Sequence, residues 1–228
     1  MVGNTKAKIL EESLKLFSEK GFDSVSMSQI ADSVGIKAPS IYKHFPSKKS
    51  ILDAIIDETF SRYAQFAELN GLNGSDPGRD AEVYGSMDEE GLCDLALRTV
   101  HLFKDDPFLG SFRRMIAIDR YRDPAMSDIY RRFFIDVPLN YQSGLFAGIF
   151  PGHDSRVLAM RFYLPVLHLL ELNDIGQLDD DDLDACIIDL TGGFYRDMAS
   201  LTRRCDCGSG IKEMYNCEAE GDPASGET

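Results

Sequence analysis

The chain has 228 residues, 43% of them hydrophobic, with 14 Phe, 9 Tyr, no Trp and a formal charge of −14. That is enough apolar material for one large domain, or for a small domain joined to a larger one. The longest apolar stretch, "FYLPVLHLLEL", is too short to cross a bilayer, and "MVGNTKAKILEES" lacks the apolar run of a secretory signal. Five Cys in no framework spacing fit a reducing compartment. The expectation is a soluble, cytoplasmic protein with no membrane partner. The sequence contains no G-x-G-x-x-G, Walker loop, G-x-S-x-G or H-E-x-x-H, so neither an enzyme nor a cofactor is expected.

The charge is uneven. Residues 1–50 carry eight Lys against five acidic residues, eight minus five or +3, which leaves −17 on the other 178. A polyanion is therefore repelled by most of the chain and admitted only near the N-terminus.

In chain order, the first helix is expected over about 5–19, where Ile9, Leu10, Leu14, Leu16 and Phe17 recur at helical spacing before Gly21. Ser26 then opens a second helix, with Gln29 completing a capping box and Val25 and Ile30 forming the hydrophobic staple. Gly35 supplies a turn. A third short helix follows over about 38–44, with Pro39 in its first turn, where a missing N–H costs little. Ile30, Val34, Ile41 and Phe45 would pack on the first helix. Lys37, Ser40, Tyr42, Lys43 and His44 are left for solvent or a ligand. Two short helices joined by a Gly turn after a longer one match a helix-turn-helix. A three-helix packing module with a solvated polar face fits the same topology.

The stretch "ILEESLKLFSEKGFDSVSMSQIADSVGIKAPSIYKHFPSKKSIL", about residues 9–52, resembles the DNA-binding domain of the TetR family of bacterial transcriptional repressors. The resemblance rests on Leu16, Phe17, Gly21, Ser26, Ile30, Ala31, Gly35, Ile36, Ile41, Tyr42, His44, Phe45, Ser47 and Lys48 at fixed spacing. It implies that Ser26 and Ser28 lie near phosphates and that Lys37, Ala38, Pro39 and Ser40 lead the recognition helix. Tyr42 and His44 would then contact the groove wall and backbone, beside Lys43, and Lys48 would touch phosphate from the start of the fourth helix. Two departures stand out. Lys37 occupies a cap position that favours Ser or Thr, and a lysine cannot accept the amide bonds of a helix start. Pro39, where Gly or Ala is usual, removes a backbone donor.

The fourth helix is expected over 48–69. "NGLNGSDPGRDAEVYGSMDEEG" reads as a hinge rather than a core element. Helices follow near 91–104, 107–119, 124–149, 154–173 and 179–202, with kinks at Pro138 and Pro165. The fold class is thus all-α: a three-helix reader over 1–47, joined by a long helix to a helical effector-binding and dimerisation body over 48–204, then a tail over 205–228.

Aromatic side chains abound in the body, and beside kinked helices they either fill a core or line a cavity. The family's habit of sensing small organic effectors there makes Phe112, Phe133 and Tyr141 candidate lining residues, with Arg113, Arg120, Arg161 and His168 as candidate polar anchors. In the last helix, Leu183, Ile187, Leu190, Phe194, Met198 and Leu201 form one apolar stripe. The resemblance implies that this stripe builds a homodimer interface, though a monomer core would explain it too. Cys205, Cys207 and Cys217, spaced C-x-C-x9-C, lack the paired knuckles of a zinc site. The expected function is a homodimeric repressor of a pseudo-palindromic double-stranded DNA operator, released by a small effector. The alternative is a helical dimerisation or protein-interaction module whose reader no longer binds DNA.

Overall fold

The computed structural model describes residues 2–206, with side chains for 5–200. Among these residues every regular element is helical. The N-terminal unit comprises α1 (Val2–Lys20), α2 (Met27–Val34) and α3 (Ala38–Ile41). Helix α3 is shorter than its apolar pattern predicts, because residues 42–44 continue as turn. Both α2 and α4 (Lys48–Leu69) start at complete capping boxes, Ser26 with Gln29 and Ser47 with Ser50. Lys37 makes no side-chain bond at the start of α3, consistent with its lack of an acceptor.

Ile9, Leu14 and Phe17 of α1 are buried with Ile30, Val34, Ile41 and Phe45. The same cluster continues into Phe108, Leu109, Phe112, Met115 and Ile116 of α7 (Pro107–Asp119). Reader and body therefore share one core. A movement of α7 is felt by α1, since close-packed interiors transmit displacement.

The presumed hinge is a correction. Residues 77–85 form α5 (Pro77–Gly85), with Asp76 capping Arg79 N and Pro77 in the first turn. An Asp-Pro helix start was present in the sequence, hidden among glycines. Helix α5 packs on α9 (Val137–Ile149) through Gly144 and Gly148. A Cβ at Gly144 would lie 2.7 Å from Pro77 Cγ, and one at Gly148 would lie 2.8 Å from Ala81 Cβ, so only glycine permits this approach.

The predicted 124–149 helix is interrupted. Between α8 (Pro124–Arg131) and α9 lies a π-helical turn, Arg132–Asp136, where Val137 N donates to Arg132 O. Pro138 lacks an N–H and its ring crowds the carbonyl four residues back, which is Phe134; a wider turn relieves both. Pro165 lies inside α10 (Ser155–Asp174).

The last layer packs α11 (Asp180–Asp206) on α6 (Glu89–Asp105) and α10. His101 of α6 bridges to α11: Nδ1 is 2.7 Å from Asp105 Oδ2, and Nε2 is 3.1 Å from Asp184 Oδ2. Both nitrogens can donate only in the imidazolium. The hydrogen bond to Asp105 raises the His101 pKa, partial burial opposes it, and Asp184 adds to the rise. A pKa raised by folding contributes stability that is full below the unfolded value, about 6.5, and lost as pH rises through the folded one. Thermal melts should therefore show a larger deficit for His101→Gln at pH 5.5 than at pH 8.5; equal deficits would remove this charge from the α6–α11 contact.

Candidate DNA-reading face and buried cavity

Burial of Ile41 and Phe45 turns the rest of the α3 region outward. Lys37, Pro39, Tyr42 and Lys43 are exposed, with Tyr42 at 54%, while Ala38, Ser40 and His44 are half-buried. Ala38 packs partly on the core, so its methyl is only partly free for a groove. Ser26 and Ser28 are exposed at the start of α2, and the Ser26 hydroxyl is engaged by its own capping box. Two lysines are used internally. Lys8 donates to Val34 O at the C-terminal end of α2, 3.0 Å, and Lys48 donates to Phe22 O at 2.7 Å and Asp23 O at 3.2 Å. The Lys48 ammonium also sits 4.4 Å from the Phe22 ring centroid. In the DNA-free protein the Lys48 charge thus braces the loop before α2. The partial negative charge on carbonyl oxygens past a helix end attracts a cation, and no sequence motif distinguishes that partner from a phosphate.

The opposite side of the loop is held by the body. Asp119, at the end of α7, accepts from Phe22 N at 2.7 Å.

Within the body lies a cavity of about 230 Å³. Its walls come from α4, α5, α6, α7, the π-turn, α9, α10 and α11, and they include Phe60, Phe103, Phe133, Phe146 and Phe162. Phe112, Arg113, Phe133 and Tyr141, picked out from the sequence, all line it. Arg120, Arg161 and His168 do not, and the reason is helical phase. Arg120 turns to Glu171, 3.2 Å, and stacks on Tyr130; Arg161 reaches Asp197 on the outer surface; the His168 side chain is 70% exposed beside Glu171. Arg113 is buried and paired through two nitrogens with Asp174, Nη2 to Oδ1 at 2.9 Å. Burial pulls its pKa down, and the Asp174 charge opposes that fall.

Sequence reasoning missed Tyr63, Tyr84 and Gln142 on the wall and Asp80 behind it. Asp80 is fully buried and accepts from Asn73 N at 2.7 Å, Gly74 N at 2.8 Å and the Tyr141 hydroxyl at 2.6 Å. Gly74 has φ +73, and a Cβ there would lie 2.8 Å from Ala67 Cβ. The turn that brings its N–H to Asp80 therefore requires glycine.

The apolar stripe of α11 is a second correction. Leu183, Ile187, Phe194 and Met198 are buried within the protomer, Leu190 is half-buried, and the Leu201 side chain lies outside the described residues. A stripe of period 3.6 shows that one helix face is covered without saying by which chain. Among the described residues, the large outward apolar side chains of the last two helices are Val157 and Leu164 on α10 and Ile188 on α11, 43%, 38% and 47% exposed. The Cys205 side chain, Cys207 and Cys217 lie outside the described residues.

A helix-turn-helix unit thus shares one core with a hollow helical body. Residues 9–55 match the family model of "Bacterial regulatory proteins, tetR family", so the N-terminal unit is similar to the DNA-binding domain of that family. It is 52% identical over 65 residues to IcaR of Staphylococcus aureus (strain Newman), the negative transcriptional regulator of the biofilm operon icaADBC. That match covers 28% of this chain and 35% of IcaR, so the chain matches about a third of that relative's length. Solved structures share the fold over far more of the chain. A TetR-family regulator from Mesorhizobium loti superposes with TM-score 0.59 at 18% identity, covering 85% of this chain and 96% of its own. SmeT in complex with triclosan superposes with TM-score 0.59 at 18% identity, covering 82% and 90%. SmeT is the repressor of a Stenotrophomonas maltophilia multidrug efflux pump. No helix among the described residues is long and apolar enough to cross a membrane.

Proposed function

We propose that the protein is a cytoplasmic transcriptional repressor that binds a pseudo-palindromic operator as a homodimer and is released when a small organic molecule fills the cavity. The division into a reader (1–47), a sensing and dimerising body (48–204) and a tail (205–228) belongs to the same reading. The observation that carries it is the sharing of α4 and α7. Both helices line the cavity, and both hold the loop before α2, through Lys48 and Asp119. A molecule that displaces either helix therefore tilts the reader. In a dimer this changes the separation of two recognition helices that must sit about 34–36 Å apart. The outer face carrying Val157, Leu164 and Ile188 is the proposed dimer surface. The effector must bind the DNA-incompetent arrangement more tightly, since equal affinity shifts nothing.

Binding to its own upstream promoter, measured by fluorescence anisotropy at several salt concentrations, tests the DNA half. Lys43 is exposed, so Lys43→Ala should reduce the salt slope by about one unit. Lys48→Ala should weaken binding with little change of slope, because its charge acts on the α1–α2 loop. No salt-dependent binding to that duplex would overturn the repressor reading, and a full-unit loss of slope for Lys48→Ala would return that lysine to the phosphate.

A further inference from the structure

Resting on the reading of the cavity as the effector site, we infer that it selects lipophilic ligands ending in a protonated amine, received by Gln142 and Tyr141 in front of the buried Asp80 carboxylate. The cavity has two polar regions of different character. At one, the two terminal nitrogens of Arg113 are committed to the Asp174 carboxylate and Leu170 O, and its buried Nε has no partner. Its charge is neutralised by Asp174, and an anionic ligand would have to compete with that carboxylate to reach it.

At the other, two acceptor oxygens are on offer, the Tyr141 hydroxyl and Gln142 Oε1. The Tyr141 proton is donated to Asp80, so the hydroxyl can only accept from a ligand. Gln142 lines the same wall, and its Oε1 is buried without a hydrogen-bond partner. A buried amide oxygen left unpaired calls for a donor. Behind them Asp80 is held by two backbone amides and one phenol, all neutral donors. That carboxyl group is therefore held by hydrogen bonds, with no cation among these three donors. Burial, followed by the hydrogen bond to Asp80, pushes the Tyr141 pKa upward. Burial and then the neighbouring charges do the same for Tyr84, and burial with the Asp80 charge for Tyr63, so these lining phenols remain neutral acceptors and aromatic faces.

Between the two ends the wall is aromatic, and ring faces favour a cation over an anion. An apolar cavity of ~150 Å³ admits benzene, so about 230 Å³ holds a phenyl ring with a short chain.

Four probes of nearly one shape separate charge from fit: 4-phenylbutylamine, 4-phenylbutanol, 4-phenylbutyrate and butylbenzene. Calorimetric titration of the full chain at pH 7 should show the amine binding at least tenfold more tightly than the alcohol, and the carboxylate weakest. Gln142→Met conserves bulk and leaves no partner unpaired, so it should fold. It should weaken the amine about tenfold and leave butylbenzene unchanged. Equal binding of all four, or preference for the carboxylate, would overturn the amine inference and leave the cavity as an effector site. Binding of none would overturn both. An amine preference that survives Gln142→Met undiminished would also overturn the assignment, because the donor would then be received elsewhere.

Discussion

Asp174→Ala should lower the thermal midpoint by roughly 6–12 °C. Arg113 is buried on α7, and its guanidinium is held by Asp174 at the end of α10. Removing the carboxylate leaves a buried cation unpaired, which typically costs about 3–5 kcal/mol. Asp174 retains 24% side-chain exposure, so water relieves part of that loss and the low end, about 3 kcal/mol, applies. At about 2–4 °C per kcal/mol for a chain of this size, that yields the stated shift. The pair Arg113→Met with Asp174→Leu should recover most of the loss, because apolar replacement of both partners restores packing without a stranded charge. Melting curves of the two variants decide the point. A single mutant as stable as the parent would mean that the charge finds water or another acceptor.

Asp119→Ala should separate sensing from reading. The first turns of α7 line the cavity with Phe112 and Arg113, and its last residue accepts from Phe22 N just ahead of α2. Lys48, at the start of α4, holds the Phe22 carbonyl on the other side. The loop is thus clamped between two helices that both border the cavity. With the Asp119 acceptor gone, a displacement of α7 reaches α2 only through apolar contacts. Allosteric couplings of about 1–3 kcal/mol correspond to roughly 5–150-fold in affinity. The variant should bind 4-phenylbutylamine as the parent does, while that ligand's effect on operator affinity shrinks to a few-fold at most. Operator titrations with and without the amine, beside calorimetry on the DNA-free protein, measure both sides. Full release by the variant would show that the signal travels through α4 alone.

The reader was legible because its determinants are local. Ser26 and Gln29 sit at capping distance, Gly35 adopts φ +80 to end α2, and the apolar residues that build the unit lie within one short segment. The bounds of α4 and α7 were readable for the same reason, each carrying its cap or its proline at the start. Helix α5 was not readable in this way. Its Asp-Pro start is flanked by Gly71 and Gly74, and a nine-residue helix with only Asp80 and Ala81 buried shows too little periodicity to outweigh them.

What the sequence determined by itself is the helical class, the reader and the abundance of aromatic side chains in the body, all encoded in spacing along one chain. Which side chains meet across it was decided only by the tertiary structure. Phe133 and Tyr141 reach the cavity while Arg161 and His168 do not, because the π-turn before Pro138 and the packing of α10 set the helical phase. Asp80 sits against Tyr141, 61 residues away, because Gly144 and Gly148 let α5 lie against α9. Lys48 closes on the Phe22 carbonyl and not on solvent for a similar reason: α1 and α4 bring that loop under it. Periodicity fixes which face of a helix is covered, but the partner that covers it depends on contacts between residues distant in sequence.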